Sequence, residues 1–300
     1  MRTGVKITVF SLLCLIWSST WLMIKVGLEG APPMLGAGLR FIIAALLIFA
    51  IIRIRNIPLP RTRTFYILSV FLGFWQMGIP YALVYWGEQH ISSGLTAVVF
   101  SIMPIGVAVL ARMVLGDPLT TRKIAGIVAG MVGVAVIFSD RLEYSGHQAA
   151  LAILAVIASA LLASLSSVVI KKYSAGYHPL ASIFLPISIG ALFLISAGLI
   201  FERGRPVVLD PPTIFTIIYL ALLGTVGAFA LYYWIIKHVD VTILSYQTFL
   251  IPILACILGW VILGETITYR VALGGVLILL GIGLSTMPGT KRTRYNDEHA

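Results

Sequence analysis

The sequence predicts an all-α membrane protein of ten transmembrane helices arranged as two inverted five-helix repeats. Three observations carry this. First, the chain of 300 residues is 59% hydrophobic and 11% charged, with a mean hydropathy of +1.02, where soluble domains carry about 25% charged residues. Second, the apolar residues fall in ten runs, most of them near the ~20 residues that a helix needs to cross ~30 Å of hydrocarbon. Third, the chain repeats itself. At an offset of 148 the hexapeptide "YALVYW" from Tyr81 returns as "FALYYW" from Phe229, and fifteen of the 57 positions from 81 to 137 are identical to their partners. Composition alone predicts a match at roughly one position in ten.

The runs can be justified in order. Run 7–24 has the basic start and apolar core of a signal peptide but no A-x-A-like cleavage site, so it is read as a retained anchor. Trp17 and Trp21 share one face of it, four residues apart. Run 33–52 opens at Pro33 and holds Arg40 about 10 Å along the helix. Run 66–86 carries Gln76, Tyr81 and Tyr85, and run 91–115 carries Ser101 and, mid-span, Pro104. The "LGD" at 115–117 is a helix stop with a glycine cap, and Thr120 starts the next helix. Run 124–138 presents Gly126, Gly130 and Gly133 as a small face for close packing.

The second half follows the same plan. Runs 149–170 and 181–201 carry Ser164 and the proline twin Pro179 near their junction; 214–236 ends in Tyr232, Tyr233 and Trp234; 241–263 holds Tyr246, Gln247 and Pro252. After "LGE" at 263–265, run 271–287 repeats the small face at Gly274 and Gly281. The first repeat is 1–139, the second 147–287, and 288–300 is a cytoplasmic tail. Five spans per repeat is an odd number, so the second copy enters the membrane upside down, a device of secondary transporters.

The charges orient the chain. Of the 21 basic residues, fourteen fall in the even-numbered loops and termini, five on the opposite side and two, Arg40 and Arg112, within spans. The positive-inside rule then puts both termini in the cytoplasm of an inner (plasma) membrane protein. The net charge of +10 is thus a topology signal and not a nucleic-acid footprint, and the expected partners are the lipid bilayer and a small-molecule substrate. Cys14 and Cys256 lie within spans and make neither a disulfide framework nor a metal signature.

Four stretches, taken together on the duplicated frame that holds them, resemble a known family: "IWSSTWLMIKVGLEGAPPMLGAGLRF" (16–41), "SSGLTAVVFSIMPI" (92–105), "LGDPLTTRKIAGIVAGMVGV" (115–134) and "LGETITYRVALGGVLILLGIGL" (263–284). They are similar to EamA-type members of the drug/metabolite transporter superfamily. The resemblance implies ten helices, a central cavity lined mainly by the first four helices of each half, and carriage of small metabolites, often outward.

What chemistry the chain offers is limited. None of its eleven acids lies in the middle third of a run, and there is no HExxH, P-loop or triad spacing. No catalytic residues, cofactor or metal are expected. The missing mid-span carboxylates favour facilitated export or exchange over stoichiometric proton coupling, and Glu88 is the only acid placed to contradict that. Arg40 has two readings: a fork for a substrate carboxylate, or a packing residue that snorkels outward or pairs with Glu88 or a backbone carbonyl. The aromatic clusters are either interfacial belts or walls for amphipathic solutes. The candidate substrate residues are Trp17, Trp21, Arg40, Gln76, Tyr81, Tyr85, Ser101, Ser164, Tyr232, Tyr246 and Gln247, with Pro104 and Pro252 as hinges. The function expected is secondary transport of amino acids or related amphipathic metabolites, by export and alternating access. Multidrug export or flipping of lipid or lipid-linked sugar are the alternatives, and a membrane-embedded enzyme ranks last. The small faces of the fifth and tenth helices either join the halves or make a homodimer.

Overall fold

Prolines and short polar residues set where the helices begin. The computed structural model describes residues 3–139, 147–174, 176–263 and 268–286. The tail 288–300 and the "GE" of the second turn motif lie outside them. Among the described residues all regular structure is helical: α1 (Thr3–Gly30), α2 (Pro33–Ile54), α3 (Arg63–Leu72), α4 (Ile79–His90), α5 (Ser93–Phe100), α6 (Met103–Leu115), α7 (Thr121–Phe138), α8 (His147–Tyr173), α9 (Pro179–Phe201), α10 (Pro211–Tyr219), α11 (Ala228–Ile235), α12 (Val241–Ser245), α13 (Gln247–Leu263) and α14 (Tyr269–Thr286). Pro33, Pro179 and Pro211 occupy first turns, where the missing N–H costs nothing. Thr62, Ser92, Thr120, Asp210 and Asp240 cap helix N-termini with their side-chain oxygens. Gly116 takes φ 75° to end α6, the left-handed conformation only glycine adopts cheaply.

Among the described residues, eight helical segments are long and apolar enough to cross a membrane. The other two apolar runs form α7, whose first turn carries Arg122 and Lys123, and the pair α12–α13, divided at Tyr246. Two segments depart from α geometry. Gly73–Gly78 joins α3 to α4, and Leu220–Gly227 joins α10 to α11, each as a π-helical stretch. They occupy corresponding places in the two halves. A π turn loosens the backbone ladder and leaves carbonyls to be met by side chains. Here Ser166 Oγ donates to Trp75 O at 3.0 Å, and Thr225 Oγ1 to Leu220 O at 2.9 Å.

The repeated hexapeptide folds alike in both copies. Trp86 packs on His90 with centroids 4.6 Å apart and Trp234 on His238 at 4.7 Å, and each histidine Nδ1 meets the tryptophan carbonyl at 2.9 and 2.8 Å. Equivalent helices of the two halves also pack against each other, running antiparallel. In the pair α2–α9, Gly38 faces Ile195 and Gly198 faces Leu35. In α7–α14, Gly126 faces Gly281 and Ser285, while Gly133 faces Gly274. The glycine faces are therefore in contact within the chain and join its halves. A buried carboxylate adds a cross-half tie, as Glu202 accepts the N–H groups of Met34 at 2.8 Å and Leu35 at 3.0 Å at the start of α2.

A further tie joins Lys123 Nζ on α7 to Asp240 Oδ2 at 3.0 Å. Burial by itself would raise the Asp240 carboxyl, but the Lys123 ammonium and the N–H groups of Ile243 and Thr242 outweigh it and hold it below the usual carboxylate range. A depressed folded value means stability that is present above about pH 4 and is lost as pH falls through that lower value. The melting difference between wild type and Asp240→Asn is accordingly expected to be measurable at neutral pH and to vanish in acid. Asp240→Ala removes the helix cap as well and should cost about 1 kcal/mol more at neutral pH.

Candidate functional site

At the centre of the bundle lies a cavity of about 140 Å³ whose walls come from α1, α2, the π-helical stretch Gly73–Gly78, α4, α5, α6, α8, α11 and α13. Its floor plan follows the repeat. Trp17 and Trp21 on α1 line it, and so do their counterparts Ala163 and Ser167 on α8, 146 positions on. At the offset of 148, Tyr81 and Phe229, Val84 and Tyr232, Phe100 and Thr248, and Met103 and Ile251 all line it in pairs. The large rings sit unevenly: α1 supplies two tryptophans where α8 supplies alanine and serine. That difference is what leaves room. Trp17 packs edge-on to Phe229 at 5.8 Å and against Tyr232 at 5.5 Å, and Trp21 edge-on to Phe100 at 5.5 Å. Such rings present apolar walls whose quadrupoles also attract cations.

Polar groups in the wall divide into those already bonded and those still open. Thr20 and Thr248 return their hydroxyls to carbonyls of their own helices, and Ser159 donates to Pro80 O at 3.0 Å. Tyr232 donates to Ser167 Oγ at 2.7 Å. Gln76 accepts from Tyr233 at 2.7 Å through its amide oxygen, which leaves its NH2 group to the cavity. Gln247, 2% exposed, has an amide oxygen without any partner among the described residues.

Arg40 is the strongest charge in the wall. It is 2% exposed. Its Nε donates to Thr225 Oγ1 at 2.7 Å, Nη1 to Tyr85 Oη at 3.1 Å and Nη2 to the carbonyl of Gly224 at 3.0 Å. The guanidinium also lies 5.2 Å from the Tyr81 ring centroid and 5.5 Å from that of Phe41. The π turn in the other half thus releases a carbonyl, and Arg40 meets it. The residue neither snorkels outward nor pairs with Glu88. Of its expected packing partners only the backbone carbonyl is found.

Seven of the eleven candidate residues reach the cavity: Trp17, Trp21, Arg40, Gln76, Tyr81, Tyr232 and Gln247. Four do not. Tyr85 stands behind Arg40 as its hydrogen-bond partner. Ser101 ends α5 and bonds back to Val98 O, because the helix breaks there. Ser164 ties α8 to α6 through Met103 O at 3.0 Å. Tyr246 stacks on Phe249 at 5.8 Å within the apolar cluster beside α7 and α14. The prolines are not equivalent in place: Pro104 opens α6 just after a turn at Ser101 and Ile102, whereas Pro252 lies inside α13. Tyr85, Tyr232 and Tyr233 are buried, so these rings do not form an interfacial belt, and Tyr232 lines the cavity. Phe100, Phe229, Ser167, Thr248 and Ile251 went unselected. The signal was present for Phe229 and Ser167, the repeat partners of Tyr81 and Trp21, whereas Phe100, Thr248 and Ile251 pair with residues that were themselves unselected.

The profile of the EamA-like transporter family matches residues 5–139 and 150–287, one copy for each half. The chain belongs to the EamA-like transporter family. Relatives agree with this. The chain is 29% identical over 282 residues to the uncharacterized transporter YoaV of Bacillus subtilis, covering 93% of this chain and 95% of that one. It is 26% identical to PagO of Salmonella typhimurium, covering 96% of each, and 26% identical to the uncharacterized inner membrane transporter YedA of Escherichia coli, covering 92% and 88%. A solved crystal structure superposes with a TM-score of 0.79 at 18% identity over 95% of this chain and 97% of that one, which shows a shared fold. This EamA-like protein is an integral membrane transporter, and the central cavity is where its two matched halves converge.

Proposed function

We infer that this transporter is a ten-span alternating-access carrier, built from two inverted repeats with both termini cytoplasmic, that exports amino acids or closely related amphipathic metabolites. One observation carries the substrate class. The cavity wall holds a buried guanidinium, the Gln76 amide, the faces of Trp17 and Trp21, and Gln247, whose amide oxygen has no partner among the described residues. Three of the five Arg40 N–H donors are taken by protein groups, which leaves two for a carboxylate. The Gln247 oxygen and the ring faces suit an ammonium group. A cavity of about 140 Å³ is near the ~150 Å³ that holds benzene, a scale that favours small metabolites over lipids. The antiparallel packing of equivalent helices and the paired cavity wall support interchangeable halves, as alternating access needs.

Counterflow into proteoliposomes tests this reading. Vesicles preloaded with one unlabelled amino acid class are expected to accumulate the labelled form of that class transiently. Uptake of cationic drugs with no amino acid counterflow would overturn the class assignment, and scrambling of labelled lipid without counterflow would replace the carrier by a flippase.

A further inference from the structure

Each half of the protein places one lysine in the same position. Lys25 on α1 donates to the carbonyls of Glu88 at 2.5 Å and Ile91 at 3.4 Å, at the C-terminal end of α4. Lys171 on α8 donates at 2.7 Å to the carbonyls of Ile236 and Val239, just past α11. These acceptors are repeat partners, since 88 and 91 advance by 148 to 236 and 239. A cation on the last carbonyls of a helix satisfies orphan acceptors and the helix dipole together. Two matching clasps therefore tie the first helix of each half to the end of its third.

The clasps differ in one side chain. Position 236 is isoleucine, fully buried as its setting requires. Position 88 is glutamate, also 0% exposed, and neither carboxyl oxygen has a hydrogen-bond partner among the described residues. The groups facing it are few. Lys25 acts on it from α1, and Tyr85, one turn earlier on α4, interacts with it electrostatically. Arg40 on α2 touches Tyr85 and reaches Glu88 only through it. From α8 the neighbours of this end of α4 are Ala149, Ala152 and Val156, and from α5 Leu95. Glu29, one turn beyond Lys25, is exposed. An ionised carboxylate sealed from water without a hydrogen bond is far costlier than a neutral acid.

We propose that Glu88 is a proton-binding site that operates the clasp at its own end of the transporter, so that the proton is the coupling ion. With this end closed, as in the structure, the site holds the neutral acid. When α1 parts from α4 and water enters, the carboxyl O–H breaks, the proton passes to water, and the carboxylate is left hydrated as the Lys25 ammonium moves away with α1. Closing again requires a proton. Raising pH therefore opens this end, while the Ile236 end has no such group. This rests on the carrier reading and names its coupling ion, in place of the proton-independent exchange that the shortage of mid-span acids had favoured.

The test needs no substrate. In a background with Cys14 and Cys256 replaced by alanine, the twin variants Ile91→Cys and Val239→Cys are reconstituted separately, and maleimide labelling rates are read across pH. The ratio of the two rates cancels thiol ionisation. It is expected to rise with pH, by up to about tenfold per unit as for one proton, and to become flat in Glu88→Gln. Glu88→Asp, which keeps an ionisable carboxyl, should retain the rise with a displaced midpoint and covers the case of a poorly folding glutamine variant. A flat ratio with Glu88 intact, or the same rise in Glu88→Gln, would overturn the proton site and leave the carrier standing. A ratio that is flat with pH and that also stays unchanged by any counterflow solute would overturn both.

Discussion

Arg40→Ala is expected to lower counterflow of carboxylate-bearing solutes by about a hundredfold. The lost contacts are charge-assisted and made by a buried group, where a pair of hydrogen bonds to a charged group contributes about 3 kcal/mol, and each 1.4 kcal/mol is tenfold in affinity. Arg40→Lys should not restore it. A single ammonium cannot meet Thr225, Tyr85 and the Gly224 carbonyl together and still present a fork to a ligand. Stability does not separate this from a packing role. Truncation leaves the Gly224 carbonyl without its donor, at about 1–3 kcal/mol, so the melting temperature falls in either case. The deciding readout is the comparison of solutes. Equal losses for a carboxylate and for its neutral amide would show that Arg40 only holds the helices, whereas a loss confined to the carboxylate gives it the binding role.

The second large effect falls on assembly. A methyl group on Gly274 would sit 2.4 Å from the Gly133 carbonyl, and one on Gly133 would sit 2.6 Å from the Gly274 carbonyl. Backbone cannot yield as a flexible side chain does, so α7 and α14 must move apart. Gly274→Ala should then destabilise the protein by about 2–3 kcal/mol, at the upper end for overpacking. Gly283→Ala is the control. It lies on the same helix with nothing within 4 Å, and there alanine should stabilise by about 0.5–1 kcal/mol through helix propensity. Thermal unfolding in detergent measures both. Equal melting for the two variants would mean that the close helix contact contributes nothing.

Much of this was legible in the chain. Run lengths and polar punctuation are local properties, so the caps at Thr120 and Gly116 and the starts at Pro33 and Pro179 were readable one element at a time. The offset between "YALVYW" and "FALYYW" went further. It contained most of the cavity wall, because a residue on one side of a pseudo-two-fold site implies its partner on the other. Applying it to Trp21 would have selected Ser167, and applying it to Tyr81 would have selected Phe229.

The four candidates outside the wall show where such reading stops. A hydroxyl inside an apolar run marks a polar group that needs a partner, but not which one. For Ser101 it was a carbonyl one turn back on its own helix, and for Ser164 the carbonyl of Met103 as well. The sequence by itself determined a helical membrane protein of duplicated halves, because hydropathy and repetition accumulate along the chain. The fates of Arg40 and Glu88 were decided only in three dimensions. Both are charged types near the ends of apolar runs, and nothing local separates them. One meets a carbonyl released by a π turn 184 positions away, and the other is enclosed by apolar neighbours from α5 and α8 with no hydrogen-bond partner for its oxygens among the described residues. Whether a charge is satisfied depends on what the opposing helix presents to it, and that is a property of packing.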